Sequence, residues 1–91
     1  MGEGKMQETI AIIPKNSMES IKIELNEYEG YDLVNIRIWY KPDPQKETMK
    51  PTQKGVTFNV DMLPQISRAI QEAERIATES GLIEEDTDEQ R

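Results

Sequence analysis

The chain contains no cysteine and no histidine among its 91 residues. Without cysteine there is no disulfide staple and no thiolate metal site, and without histidine the commonest metal ligand and general base are missing. No metal site, cofactor or catalytic residue is expected, because Asp61, Glu72 and Glu74 have no nucleophile or glycine-rich phosphate cradle to work with. Apolar runs stop at about four residues, far short of the ~20 that a membrane span needs. The opening residues lack the apolar stretch of a secretory signal, so an intracellular protein is expected: cytoplasm or nucleoid in a prokaryote, nucleus in a eukaryote. Aromatics are 5% and apolar residues 35% of the chain. A body of roughly seventy residues with so small a core is marginal alone, which makes a partner subunit plausible.

Positive charge is also in short supply, 11 basic residues against 18 acidic for a net charge of -7, but its placement matters more than its total. Between Glu79 and Arg91 six acids face one arginine. Between Arg37 and Lys54, by contrast, Arg37, Lys41, Lys46, Lys50 and Lys54 outnumber Asp43 and Glu47. An anionic chain thus carries a local cationic field.

Residues 1–8 have little to bury and are expected to be flexible, and 83–91 read as an acidic disordered tail. The domain is expected over 9–82. "TIAIIP", 9–14, is β-branched and closed by proline, as suits an edge strand. "SIKIELNEY" alternates, with Ile21, Ile23 and Leu25 on one side and Lys22, Glu24, Asn26 and Tyr28 on the other. Glu29-Gly30 breaks the run. "YDLVNIRIWYK" then resumes it, with Val34, Ile36 and Ile38 opposite Asn35, Arg37, Trp39 and Lys41. The three prolines of "PDPQKETMKP" predict an exposed, unpaired loop. After Gly55, Val56, Phe58 and Val60 point inward. Met62, Ile66, Ala69, Ile70, Ala73, Ile76 and Ala77 recur at three and four, predicting a helix over about 61–80 with Asn59 or, preferably, Asp61 as its cap, Pro64 in its first turn and Gly81 at its end.

These elements predict an α+β domain in which four antiparallel strands precede one C-terminal helix that covers one sheet face. The other face keeps Lys22, Tyr28, Arg37, Trp39 and Lys41. Cations beside flat rings suit a nucleic acid with unpaired bases, since rings stack on bases at roughly 1–3 kcal/mol each while Lys and Arg track phosphates.

Ile36-Arg37, the pair Trp39-Tyr40, the run Met49-Lys50-Pro51, and Lys54-Gly55 leading into a strand that ends at Asn59 resemble the positive cofactor four family of transcriptional coactivators and its bacterial and phage relatives. The likeness covers roughly residues 15 to 76. It implies a homodimer with strongly curved four-stranded sheets, binding single-stranded DNA with little sequence preference. By that resemblance Lys50, Lys54 and Arg37 would contact phosphates, and Tyr28 and Tyr40 would take the places of the stacking aromatics. Asn26, Glu29, Tyr31 and Gln53 stand where the family often has a base, which implies a shallower salt dependence. Alternation puts Trp39 outward and Tyr40 inward, whereas the resemblance prefers Tyr40 at the ligand; a bulge between Arg37 and Tyr40 would reconcile the two, and both rings remain candidates.

Each feature has a plainer reading. A lone ring usually packs in a core or interface, a loop lysine usually only solubilises, and Lys22 opposite Glu24 is a surface pair of small worth. The acidic tail is ordinarily just solvated; a sharper reading has it occupy the basic channel in competition with DNA. Together the candidates for nucleic-acid binding are Lys22, Tyr28, Arg37, Trp39, Tyr40, Lys41, Lys46, Lys50 and Lys54. The expected partners are single-stranded DNA (or RNA), a second copy of the chain, and transcription or replication proteins. The competing reading is a protein-interaction module whose sheet face binds a peptide, which the net charge favours.

Overall fold

The computed structural model describes residues 7–84; all but the first two residues of the acidic tail, and most of the expected flexible N-terminus, lie outside them. The chain forms two units, divided after Val60.

The first unit is a four-stranded antiparallel sheet in the order β1-β2-β3-β4, each strand beside its neighbour in sequence. Its strands are β1 (Gln7–Pro14), β2 (Glu19–Tyr28), β3 (Tyr31–Tyr40) and β4 (Lys50–Asn59). β1 therefore begins two residues earlier than the sequence suggested. Asn16 makes the first turn: its side-chain oxygen accepts from the backbone N–H groups of Met18 and Glu19 at 2.9 and 2.8 Å, the local bonding that suits asparagine to turns. Glu29 and Gly30 make the second as a two-residue hairpin loop with φ of 53° and 84°. Positive φ at both central positions matches the right-handed twist of the flanking strands, and glycine takes it without strain.

The long loop is shorter than its prolines implied. β4 starts at Lys50, which pairs with Tyr40, and Pro51 sits in the ladder opposite Trp39. β4 is an edge strand, where a residue without an N–H can be tolerated.

Pairing of β2 with β3 runs unbroken from Glu19 opposite Tyr40 to Tyr28 opposite Tyr31. Uninterrupted register keeps side-chain alternation strict. One face therefore carries Ile21 beside Ile38, Ile23 beside Ile36 and Val56, and Leu25 beside Val34 and Phe58. Val34, in the middle of this set, is 1% exposed and is the fully buried side chain among the described residues.

The second unit opens with a 3-10 turn, Val60–Met62, and continues as helix α1, Leu63–Glu79. Met62, not Asp61, occupies the cap position and makes no side-chain cap bond, because the tighter turn sets the helix start beyond Asp61. Pro64 falls in the first turn, where its missing N–H costs no intrahelical bond. At the other end Gly81 has φ of 75°. Its N–H donates to the Thr78 carbonyl at 3.1 Å and that of Leu82 to the Ala77 carbonyl at 2.8 Å, the paired bonds of a Schellman ending. Arg75 bridges Glu72 and Glu79 along the helix surface, raising its own pKa and lowering that of Glu72. No helix among the described residues is long and apolar enough to cross a membrane.

Candidate nucleic-acid interface

Alternation sorts the nine candidate residues into groups. On the face opposite the isoleucines lie Lys22 and Arg37, directly paired, with Trp39 one pair further along. Lys22 Nζ sits 3.7 Å from the Trp39 ring centroid and 3.4 Å from Glu24 Oε2. One side of the indole is thus covered by a cation of the same chain.

Arg37 is equally committed. Its Nε–H donates to Asn35 Oδ1 at 3.2 Å, Nη1 to the Thr52 carbonyl at 3.1 Å and Nη2 to Thr57 Oγ1 at 3.3 Å. The Thr57 hydroxyl donates in turn to Asn35 Oδ1 at 3.3 Å. Asn35 and Thr57 face each other across β3 and β4, so the planar guanidinium fits a preformed pair of acceptors.

Where β3 meets β4 the ladder loses its one-to-one match. Between the pairs Arg37–Gly55 and Trp39–Pro51, β3 has Ile38 alone while β4 has Thr52, Gln53 and Lys54. The irregularity thus falls between Arg37 and Trp39, within the interval the sequence and the family resemblance together suggested, but its extra residues are on β4. Since two residues are added, an even number, alternation resumes in phase. Trp39 stays with Arg37, and Tyr40 stays on the opposite face with Ile36 and Ile38.

That second face holds Lys50 and Lys54. Lys50 is the register partner of Tyr40, and Glu19 flanks Tyr40 on its other side. Lys54 lines a cleft of about 290 Å³ with Ile21, Ile36, Arg37, Ile38, Gly55 and Val56. Glu19 titrates below the ordinary carboxylate range, chiefly because the Asn16 amide donates to it, with Lys15 and the charge of Lys54 acting the same way. Tyr40 is 38% exposed and Val56 55%, so ring and cleft are both accessible to a ligand.

Of the remaining candidates, Lys41 leaves β3 with its N–H donating to the Met18 carbonyl at 2.9 Å and its Nζ 3.7 Å from Glu47. Lys46 lies in the same connection, in a turn closed on the Asp43 carbonyl at 3.0 Å. Tyr28 is not brought to this end at all. It sits at the hairpin beside Tyr31, eight residues along β2 from the partner of Trp39, or roughly 27 Å at ~3.4 Å per residue. Sequence reading missed Asn35, Thr52 and Thr57, whose roles depend on cross-strand partners; the one available hint was that polar residues stand at outward positions next to a basic one.

The family model described as Transcriptional Coactivator p15 (PC4) matches residues 15–69. The chain belongs to the PC4 family. All nine candidate residues fall inside the matched span. A PC4 homolog from Burkholderia pseudomallei shares the fold: its tetragonal crystal form superposes with a TM-score of 0.67 at 23% identity, covering 76% of this chain and 98% of that one. The orthorhombic form gives 0.66 at 26% identity, covering 75% and 89%. A bacteriophage T5 homolog of the eukaryotic coactivator PC4, implicated in recombination-dependent DNA replication, gives 0.59 at 24% identity, covering 84% and 82%. No curated protein matches the chain in sequence. The PC4-type architecture, four antiparallel strands and then a helix, is thus shared by a bacterial and a phage protein.

Proposed function

We propose that this PC4-family protein binds single-stranded DNA as a homodimer, without catalysing a reaction, and serves transcription or DNA metabolism. The observation that carries the reading is the pair Tyr40 and Lys50 in register, with Lys54 on the same face and an open apolar cleft beside it. An accessible ring with one ammonium group in register beside it and a second on the same face supplies what an unpaired nucleotide requires: a stacking surface and partners for phosphates. Duplex DNA conceals its base faces and would forgo the ring. Lys41 and Lys46, in the adjoining connection, add positive charge at this end of the sheet, while Tyr28 and Tyr31 lie at the far hairpin on the face of Lys22 and Arg37, away from this platform.

Lys22, Arg37 and Trp39 face the other way and support the sheet. The neighbouring Glu19 carboxylate and the family bases absent at Asn26, Glu29, Tyr31 and Gln53 make the phosphate attraction modest.

The dimer is supported by unburied apolar surface. Ile70 and Ile76 on the helix stripe are 59% and 48% exposed, apolar surface that a second copy would cover. Sedimentation at micromolar concentration should give twice 10.5 kDa; a species of 10.5 kDa would remove the dimer.

Titrating labelled oligo-dT and a duplex of equal length across a salt series tests the binding. Preference for the single strand, weakening with salt, is expected. Absence of binding to either would instead favour the peptide-binding reading.

A further inference from the structure

We propose that Arg37 is a positioning residue that fixes where Lys54 emerges from the sheet, and that it does not itself hold a phosphate. The inference rests on the single-stranded DNA reading for its consequence, but not for its geometry.

Lys54 belongs to the stretch of β4 where three residues lie opposite one, so the ladder does not define its backbone. Two other attachments define it, and both lead to Arg37. On one side Arg37 Nη1 donates to the Thr52 carbonyl at 3.1 Å. The Thr52 hydroxyl donates to the Ile38 carbonyl at 2.9 Å and accepts from the Lys54 N–H at 3.1 Å. One residue, held at both its carbonyl and its hydroxyl, thus connects the guanidinium to the backbone of Lys54.

On the other side Gly55 is the register partner of Arg37. It lies so close that a Cβ there would be 2.4 Å from the Ile36 carbonyl oxygen and 2.8 Å from Arg37 Cα. Lys54 is therefore suspended between two points fixed on Arg37. Three nitrogens of the guanidinium are occupied by Asn35, Thr52 and Thr57, and strand alternation puts them on the face away from Tyr40 and Lys50, although Arg37 also borders the cleft that Lys54 lines. A lysine at this position would keep the charge but lose the planar fork that spans three acceptors.

Arg37→Lys therefore separates the two roles. Oligo-dT affinity, measured by fluorescence anisotropy over a salt series, is expected to fall about as far in Arg37→Lys as in Arg37→Gln. Each should lose the salt slope that Lys54→Gln loses alone, ~0.7 for one single-strand phosphate. Adding Lys54→Gln to Arg37→Lys should then cost little more. Wild-type affinity in Arg37→Lys with loss in Arg37→Gln, or additive losses in the double variant, would overturn the proposal.

Amide hydrogen exchange without DNA provides an arm that stands even if oligo-dT does not bind. In Arg37→Lys the Lys54 N–H should exchange at least about tenfold faster, while amides in the β2–β3 ladder keep their protection; unchanged exchange at Lys54 refutes the clamp. Should Arg37→Lys fail to fold, Thr57→Val decides, since it removes one acceptor and leaves the arginine. It should raise Lys54 exchange by a smaller factor, and no change there counts equally against the proposal.

Discussion

Lys22 lies over Trp39 with its ammonium 3.7 Å from the ring centroid, and Glu24 holds the same ammonium from the side at 3.4 Å. The Lys22 side chain is 20% exposed, so the cation is partly desolvated and its attraction to the indole is at the upper part of the range for such contacts, about 1–2 kcal/mol. The contact is a diagonal between adjacent strands two register positions apart, since Lys22 is opposite Arg37 and Ser20 is opposite Trp39. It gives the lone tryptophan a use within the fold.

Removing that cation should therefore affect stability and spare binding. Lys22→Met keeps the stem and deletes the charge, which should lower unfolding free energy by about 1 kcal/mol. Oligo-dT affinity should change less than about twofold, the residual of one screened charge. Chemical denaturation monitored by circular dichroism, alongside anisotropy, checks both; a large loss of affinity at unchanged stability would show that Lys22 meets DNA.

Tyr40 and Trp39 are adjacent in sequence but point to opposite faces, so they are separable by experiment. Tyr40→Ala should cost about 1–3 kcal/mol of oligo-dT binding, the usual worth of one stacked base. Trp39→Leu should cost little binding but destabilise the sheet. Because the chain has a single tryptophan, its emission reports Trp39 alone and should hardly change at saturating oligo-dT; strong quenching on binding would reverse the assignment of the two rings.

Glu19 supplies a dependence on pH. Its pKa is lowered from 4.5 by the Asn16 amide first and by Lys15 next. A carboxyl whose folded pKa lies below its unfolded one stabilises the fold above the unfolded value, and that contribution is lost as pH falls from about 4.5 through the folded value. Thermal melts between pH 6 and pH 3 should therefore decline less steeply for Glu19→Gln than for the wild type. The same substitution removes a negative charge beside Tyr40 and should strengthen oligo-dT binding at neutral pH, by roughly two- to fivefold at low salt. Equal slopes with pH would mean that the carboxylate has no such role.

Gly55 should tolerate no side chain. The atoms a Cβ would meet are backbone of Ile36 and Arg37, which cannot rotate aside, so Gly55→Ala should destabilise by about 1–3 kcal/mol as overpacking does. Gly55→Ala should also lower oligo-dT affinity, because Lys54 precedes it. A melting temperature equal to that of the wild type would show that β4 can move away from β3.

Much of this was legible in the sequence. Alternation in "SIKIELNEY" and "YDLVNIRIWYK" put Ile21, Ile23, Leu25, Val34, Ile36 and Ile38 on one face, because a period of two maps sequence parity directly onto side. The sequence periodicity placed the helix to within a few residues, and glycine marked its end through the left-handed conformation that residue adopts cheaply. What misled was proline. Pro51 reads as a loop residue when its neighbours are unknown, yet an edge strand has an outer side on which no N–H is needed.

The sequence by itself determined the order of the elements, which side chains share a face, and the segregation of cations into one stretch, since each follows from local stereochemistry and spacing. Only the tertiary structure decided that the extra residues lie in β4, that Arg37 is engaged by Asn35, Thr52 and Thr57, and that Lys22 covers Trp39. The reason is physical: register between strands and the bonds that span it join residues fifteen to twenty positions apart, and no local preference of either partner specifies the other.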